Sequence, residues 1–320
     1  MNHVRIVGVG EAMIELSPAG DGLYRLSYAG DTFNTIWHMA QLLGERASSG
    51  FVTRIGSDPL SSRFLADLKH GGLDARVVGR DDTRHMGLYL IELTGTERSF
   101  QYWRNDSAAR ALADRPELLL EGFTNADLVH VSGITLAVLH GQARGNLFGA
   151  LSEARQNGAR VSFDPNIRPR LWPSLEEARI AVLEMLKFTD IVLPSFDDEK
   201  MLWNDASPVA TLRRYRCQGL FEVVVKNGAD AVTASMGDDE LSVPTSAVDG
   251  VRDTTGAGDA FNAGYLSARC LGLGQVAAVR TGQAMSAEVL KHPGARAPMD
   301  IARDMGRDLF GSHVSGTRGT

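Results

Sequence analysis

Cysteine is nearly absent from this chain: Cys217 and Cys270 are the only two in 320 residues. They stand too far apart and too few for a disulfide framework or a cysteine-rich metal site, and both read as buried thiols of a reducing compartment. The eight histidines show no H-x-x-x-H or comparable spacing, so zinc chemistry has no footing. No apolar run reaches the roughly 18 residues of a membrane span. Met1 to Glu11 passes directly into a strand-like run without a signal-peptide core, so a cytoplasmic protein is expected. A Lys/Arg-rich block is missing too, and the formal charge is −6, which excludes nucleic acid as the main partner because phosphate backbones need a basic footprint. What remains, with 43% apolar and 22% charged residues, is neither disordered nor fibrous. Its length suits one large α/β domain with an insertion, or two smaller domains.

Val4 to Val9 reads as a buried strand ending in glycine. Leu128–Val131, Val161–Phe163, Ile191–Leu193 and Val223–Val225 are further short Val/Ile/Leu runs, separated by helix-length segments. Strands alternating with helices imply a parallel sheet covered on both faces, with ligands at the carboxyl ends of the strands. Polar clusters fall at those ends: Asp164-Pro165-Asn166-Ile167-Arg168, Pro194-Ser195-Phe196-Asp197-Asp198-Glu199, and Lys226-Asn227-Gly228-Ala229-Asp230.

Met86 to Arg104 breaks this rhythm. It reads as two alternating strands around Thr94-Gly95-Thr96-Glu97, with Gly95 suited to the first central position of a type II′ turn. That register sets Tyr89 opposite Tyr102 and puts Tyr89, Phe100, Tyr102 and Arg104 on one face, an aromatic floor carrying a cation. A plain half-buried hairpin with a snorkelling arginine is the alternative. Gly22 to Ala29 adds a strand, making a small β lid whose free edges and apolar face suit pairing with a second subunit.

The densest signal is Asp253-Thr254-Thr255-Gly256-Ala257-Gly258-Asp259-Ala260-Phe261-Asn262. Gly256 and Gly258 permit positive φ and close approach of backbone N–H groups, and the helix starting near Asp259 adds the positive end of its dipole. This is a pocket for anionic oxygens. A carboxylate there repels a resting phosphate, which fits Asp259 to accept a proton from an attacking hydroxyl. The competing view is an ordinary strand-to-helix turn. Gly8-Val9-Gly10 follows a strand as well, but Met13 stands where a dinucleotide fingerprint needs its third glycine.

The Asp253-to-Asp259 run resembles the D-T-x-G-A-G-D signature of the ribokinase-like (PfkB) carbohydrate kinases. Tyr102-Trp103-Arg104 with Ser107-Ala108-Ala109-Arg110 is similar to the corresponding stretch of the 2-keto-3-deoxygluconate kinases within that family, as are Gly30-Asp31-Thr32-Phe33-Asn34 and Asp164 to Arg168. In Gly30 to Asn34 the family's first glycine is replaced by Ala29, and Asp31 or Thr32 could serve merely as a helix cap. The likeness runs from Gly8 to about Pro298. It implies a three-layer α/β/α core with a mostly parallel sheet, covering 1–14, 33–84 and 107–311, a β lid at 15–32 and 85–106, and a flexible tail at 312–320.

The resemblance also implies ATP and Mg²⁺ as cofactors, a homo-oligomer through the lid, and transfer of the γ-phosphoryl group to 2-keto-3-deoxy-D-gluconate with Asp259 as base and Gly256, Ala257 and Gly258 as anion hole. Gly30, Asp31, Asn34, Tyr89, Tyr102, Arg104 and Arg168 fall on the substrate side. Guanidinium forks such as Arg104 and Arg168 suit a substrate carboxylate; Arg168 reaching a nucleotide phosphate instead stays open. Asn166, Ser195, Lys226, Gly228 and Gln283 fall on the nucleotide side. Relatives organise magnesium through water with an Asn-x-x-Glu motif; the equivalent segment here, Ser195-Phe196-Asp197-Asp198-Glu199, lacks the asparagine, leaving Asp198 or Glu199 to support the metal. Related enzymes also use a monovalent cation beside the anion hole, which makes Asp253 the candidate residue for K⁺. Rival readings are a fructokinase-like enzyme for a neutral ketose, a kinase for another sugar acid, a non-catalytic binding protein, and an NAD-dependent oxidoreductase.

Overall fold

The computed structural model of the chain describes residues 3–94 and 97–311; the Gly95-Thr96 turn and the tail at 312–320 expected from the sequence lie outside the described residues. The strands are β1 (Val4–Val9), β2 (Met13–Gly20), β3 (Leu23–Ala29), β4 (Ala47–Gly56), β5 (Leu73–Asp74), β6 (Val78–Asp81), β7 (Gly87–Thr94), β8 (Glu97–Trp103), β9 (Leu128–Ser132), β10 (Arg160–Asp164), β11 (Ile191–Val192), β12 (Glu222–Val225), β13 (Val232–Met236) and β14 (Asp239–Val243). The helices are α1 (Asp31–Leu43), α2 (Pro59–His70), α3 (Pro116–Phe123), α4 (Gly133–Val138), α5 (Gly141–Gln156), α6 (Leu175–Leu186), α7 (Phe196–Trp203), α8 (Pro208–Cys217), α9 (Ala257–Cys270), α10 (Gln275–Val289) and α11 (Met299–Phe310).

The large sheet runs in the order β14-β13-β12-β11-β10-β9-β1-β4-β5, with β6 also on β4. Its pairs are parallel from β5 through β12, and only the β12-β13-β14 margin is antiparallel. Alternation along each strand divides the core in two. Val7 and Val9 pack with Val129, Val131 and Phe163 under one helix layer, whereas Ile6, Leu128, Ile191 and Val224 pack under the other. Hydrophobic side chains on both faces leave no room for a water-facing side, so helices must cover the sheet twice.

The second sheet has the order β3-β2-β7-β8. Tyr89 pairs with Tyr102 as the sequence suggests. The lid differs from expectation in having a hairpin, β2 with β3, where the sequence showed only Gly22–Ala29; β2 then pairs in parallel with β7 and joins the two hairpins. β2 escapes a sequence search because Ser17-Pro18-Ala19-Gly20 ends it in turn-like residues. β4 escapes for a similar reason, since Ala47-Ser48-Ser49-Gly50 opens it without apolar alternation, yet it lies beside β1 at the centre. Cys270 is half-buried, but Cys217 is exposed, contrary to the buried thiol expected: it closes α8 on the solvent side.

Candidate active site

The glycine-rich turn is built by local constraints. The Asp253 carboxylate accepts hydrogen bonds from Thr255 N at 2.9 Å and Gly294 N at 2.6 Å, tying the turn to a second loop. Gly256 then takes φ 74°, and a Cβ there would sit 2.5 Å from the Ala295 carbonyl oxygen. Left-handed backbone and backbone contact together demand glycine. Helix α9 starts at the next residue, so the N–H groups of its first turn lack intrahelical partners; that of Ala257 points to Thr254 O at a long 3.4 Å. A Cβ at Gly258 would meet only Lys226 Nζ, 3.7 Å away, which marks open space over this turn.

Asp259 lies in that first turn and is only partly buried. Its Oδ2 accepts from Asn34 Nδ2 at 2.8 Å, joining α9 to α1. Burial, then repulsion from Asp31, pushes its pKa up to about 7. Asp31 accepts from Asn166 Nδ2 at 2.7 Å, so the three elements carrying Asp259, Asn34, Asp31 and Asn166 converge on one crevice. Asn166 itself has φ 37°, a left-handed conformation at the end of β10 that asparagine tolerates better than most residues.

Beneath lies a buried polar floor. Lys226 Nζ donates to Asp164 Oδ2 at 2.6 Å and to Asn262 Oδ1 at 3.0 Å, while Asn262 Nδ2 donates to the same Asp164 oxygen at 2.6 Å. Burial works against the Asp164 charge, but Lys226 and Asn262 outweigh it and hold its pKa low. Asn262 received no role from the sequence, although its position three residues after Asp259 on α9 puts both on one helix face. Ser195 caps α7 and bridges Lys226 through the backbone, and Gly228 turns with φ 56° just beyond. Gln283 donates to Pro244 O at 3.1 Å and Thr245 Oγ1 at 3.0 Å on the same flank.

On the lid side, Tyr89, Phe100 and Tyr102 form a continuous ring cluster with centroids 5.7 to 6.3 Å apart. Arg104 departs from the expected floor: it lies past the end of β8, is buried, and pairs with the buried Glu11 rather than standing open beside the rings. Glu11 and Glu15 are acids the sequence reading did not single out. Glu15 accepts from Ser27 at 2.9 Å and from the Tyr89 hydroxyl, and its place two residues after Met13, on the same face of β2, was the available signal. Gly30, the residue before α1, has a Glu11 carbonyl oxygen 2.2 Å from where a Cβ would be, so close backbone approach explains that glycine.

Arg168 is half-exposed and lies 3.5 Å from Asp198, whose Oδ2 also accepts from Ile167 N at 3.0 Å. Burial raises the Asp198 pKa against the pull of Arg168. Glu199 corrects the expectation for metal support. Its side chain is fully buried and engaged by Arg214 at 2.6 Å and Tyr215 at 3.0 Å, so it turns into the α7–α8 packing and away from the crevice. Among the described residues no group of three metal-ligating side chains occurs. The open amide turn over Lys226 fits a nucleotide phosphate.

The sequence from residue 5 to residue 302 matches the profile of the pfkB family carbohydrate kinases. The chain belongs to this family. It is 39% identical over 307 residues to a 2-dehydro-3-deoxygluconokinase of Dickeya dadantii, covering 94% of this chain and 99% of that protein. To the 2-dehydro-3-deoxygluconokinase of Escherichia coli K12 it is 38% identical, covering 92% and 98%. A fructokinase of Vibrio alginolyticus is 27% identical, covering 83% and 84%. A ribokinase-II-type protein of Escherichia coli, solved in complex with ATP and Mg²⁺, superposes with a TM-score of 0.82 at 21% identity, over 95% of this chain and 99% of that one, which establishes the shared fold.

Proposed function

We propose that this pfkB-family sugar kinase phosphorylates 2-keto-3-deoxy-D-gluconate on its terminal hydroxyl, giving the 6-phosphate and ADP. The observation that carries the reading is Asp259, half-buried, raised to about pKa 7 and set in the first turn of α9 beside an open amide pocket. The sugar-acid assignment draws on the higher identity to 2-dehydro-3-deoxygluconokinases than to the fructokinase.

In this reading Asp259 takes the hydroxyl proton as the oxygen attacks phosphorus in line, and Asn34 keeps the carboxylate turned toward that oxygen. The amides of Gly256, Ala257 and Gly258 hold the charge gathering on the equatorial oxygens, with Lys226 beneath them. Asp198 would hold Mg²⁺ through water, and the ion would supply neutralisation of the phosphate charge. Gly30, Asp31 and Asn34 meet sugar hydroxyls, and Tyr89 and Tyr102 form the wall above. The half-exposed Arg168 takes the substrate carboxylate, while Arg104 holds Glu11 under the lid. Asn166, Ser195, Gly228 and Gln283 border the nucleotide. Asp253, which orders the loop through Thr255 and Gly294, is the residue we assign to a K⁺-responsive loop.

The core spans 1–14, 33–84 and 107–311, and the lid 15–32 and 85–106 closes over the substrate and limits ATP hydrolysis by water. A coupled ADP-release assay over 2-keto-3-deoxygluconate, gluconate, fructose and ribose tests the substrate. The keto-deoxy acid is expected to give the highest kcat/KM; fructose exceeding it would transfer the chain to the fructokinase-like reading.

A further inference from the structure

The motif residue Arg110 does not enter the crevice. It lines a separate cavity of about 420 Å³ with His140, Arg144, Arg170, Trp172 and Glu177. Three guanidinium groups face one carboxylate there, a local excess of positive charge on a chain of net charge −6. The wall is rigid. Arg144 donates to Leu136 O at 3.1 Å and Leu139 O at 2.9 Å, with its guanidinium 5.4 Å from the Trp172 ring centre. Arg110 meets His140 Nε2, and burial together with the Arg110 and Arg144 charges holds the His140 pKa below the usual histidine range. Among the described residues, neither Arg110 nor Arg170 has a carboxylate partner. His140 is also the N-cap of the 16-residue helix α5 and makes no side-chain cap, so the first-turn amides add to the positive field.

We propose that this cavity is a second anion site, outside the catalytic crevice, for a phosphate dianion carried by a phosphorylated sugar acid or present as inorganic phosphate. The charge count selects the class: three arginines less Glu177 leave two positive charges, and planar guanidinium forks match phosphate oxygens. A cavity of this size accommodates a six-carbon phosphate. The site is tied to the crevice by covalent neighbours. Arg168 and Arg170 flank Pro169 at the short 3₁₀ turn Pro169–Leu171, and α4 leads from the carboxyl end of β9 to His140. A bound dianion fixes that turn and with it the position of Arg168.

Calorimetric titration at low salt tests this, with the crevice first filled by a non-hydrolysable ATP analogue, Mg²⁺ and saturating 2-keto-3-deoxygluconate. The probes are inorganic phosphate, 6-phosphogluconate and gluconate. One saturable site per chain is expected for a phosphate-bearing probe, weaker by about tenfold or more in Arg110→Gln and in Arg170→Gln, because each loses a charge-assisted hydrogen bond. Gluconate is expected to bind at least tenfold more weakly. Tighter binding of 6-phosphogluconate than of phosphate assigns the sugar phosphate, and equal affinity assigns inorganic phosphate. Unchanged affinity in both variants, gluconate binding as tightly as 6-phosphogluconate, or no saturable binding of either phosphate overturns the proposal. Both side chains reach solvent, so thermal midpoints and analogue binding stay at parental values. An analogue that fails to bind the parent counts against the kinase reading instead, and the two arginine variants still decide this site.

Discussion

Asp259 shows how surroundings can suit one side chain to the base role proposed for it. A carboxylate alone in water is ionised at pH 7 and is a weak base; burial and the facing Asp31 raise this one to about 7, close to the optimum for proton transfer at neutral pH. The proposed role requires the base form, so kcat/KM for the sugar acid should fall as pH drops below about 7, with the acid limb centred there. Asn34→Ala removes the N–H that favours the charged carboxylate, so the limb should move to higher pH. Asp259→Asn should lower kcat by about 10²–10⁴ while leaving nucleotide-analogue binding nearly unchanged. A flat profile from pH 5.5 to 8, or an Asp259→Asn enzyme within a few-fold of parent, would contradict the assignment. Glu11 and Arg104 make the opposite point: each has charge suited to chemistry, and each is paired with the other in a buried pocket.

At the level of elements, the turn into α9 separates a glycine required by backbone geometry from one that is not. Gly256 occupies left-handed φ against the Ala295 backbone, so Gly256→Ala should destabilise the protein by about 1–3 kcal/mol, read as a lower thermal midpoint. Gly258 is already helical with open space above it, so Gly258→Ala should stabilise by up to about 1 kcal/mol yet depress ATP turnover by crowding the phosphate position. Equal stability losses in both variants, or full turnover in Gly258→Ala, would tell against the anion-hole role. Element type was legible wherever a short Val/Ile/Leu run stood between helices, as in β1, β9, β10 and β12. It was hidden in β2 and β4, whose serines and glycines read as turns and become strands only because strong neighbours supply the ladder.

For the whole molecule, the lid sheet presents two faces. Register puts Tyr89, Phe100, Tyr102 and Glu15 toward the crevice, and Leu16, Tyr24, Leu26, Leu88, Leu90 and Trp103 on the other side. Trp103 is 59% exposed and Tyr24 47% exposed, and an apolar face with free strand edges at β3 and β8 suits a second copy of the chain. We expect a dimer by light scattering, converted to monomer by Trp103→Glu with the core fold retained; a monomeric parent at micromolar concentration removes this interface. No helix among the described residues is long and apolar enough to cross a membrane. Taken alone, the sequence determined the alternating α/β order, the hairpin register and the glycine-rich turn into α9, because these depend on spacing within a few positions. Which charges remain available was decided only by the tertiary structure. Arg104 meets Glu11 across 93 positions, Asn34 meets Asp259 across 225, and Glu199 is enclosed by α8. Partners so distant in sequence share no periodicity, and the desolvation that sets their chemistry exists only once the layers have closed around them.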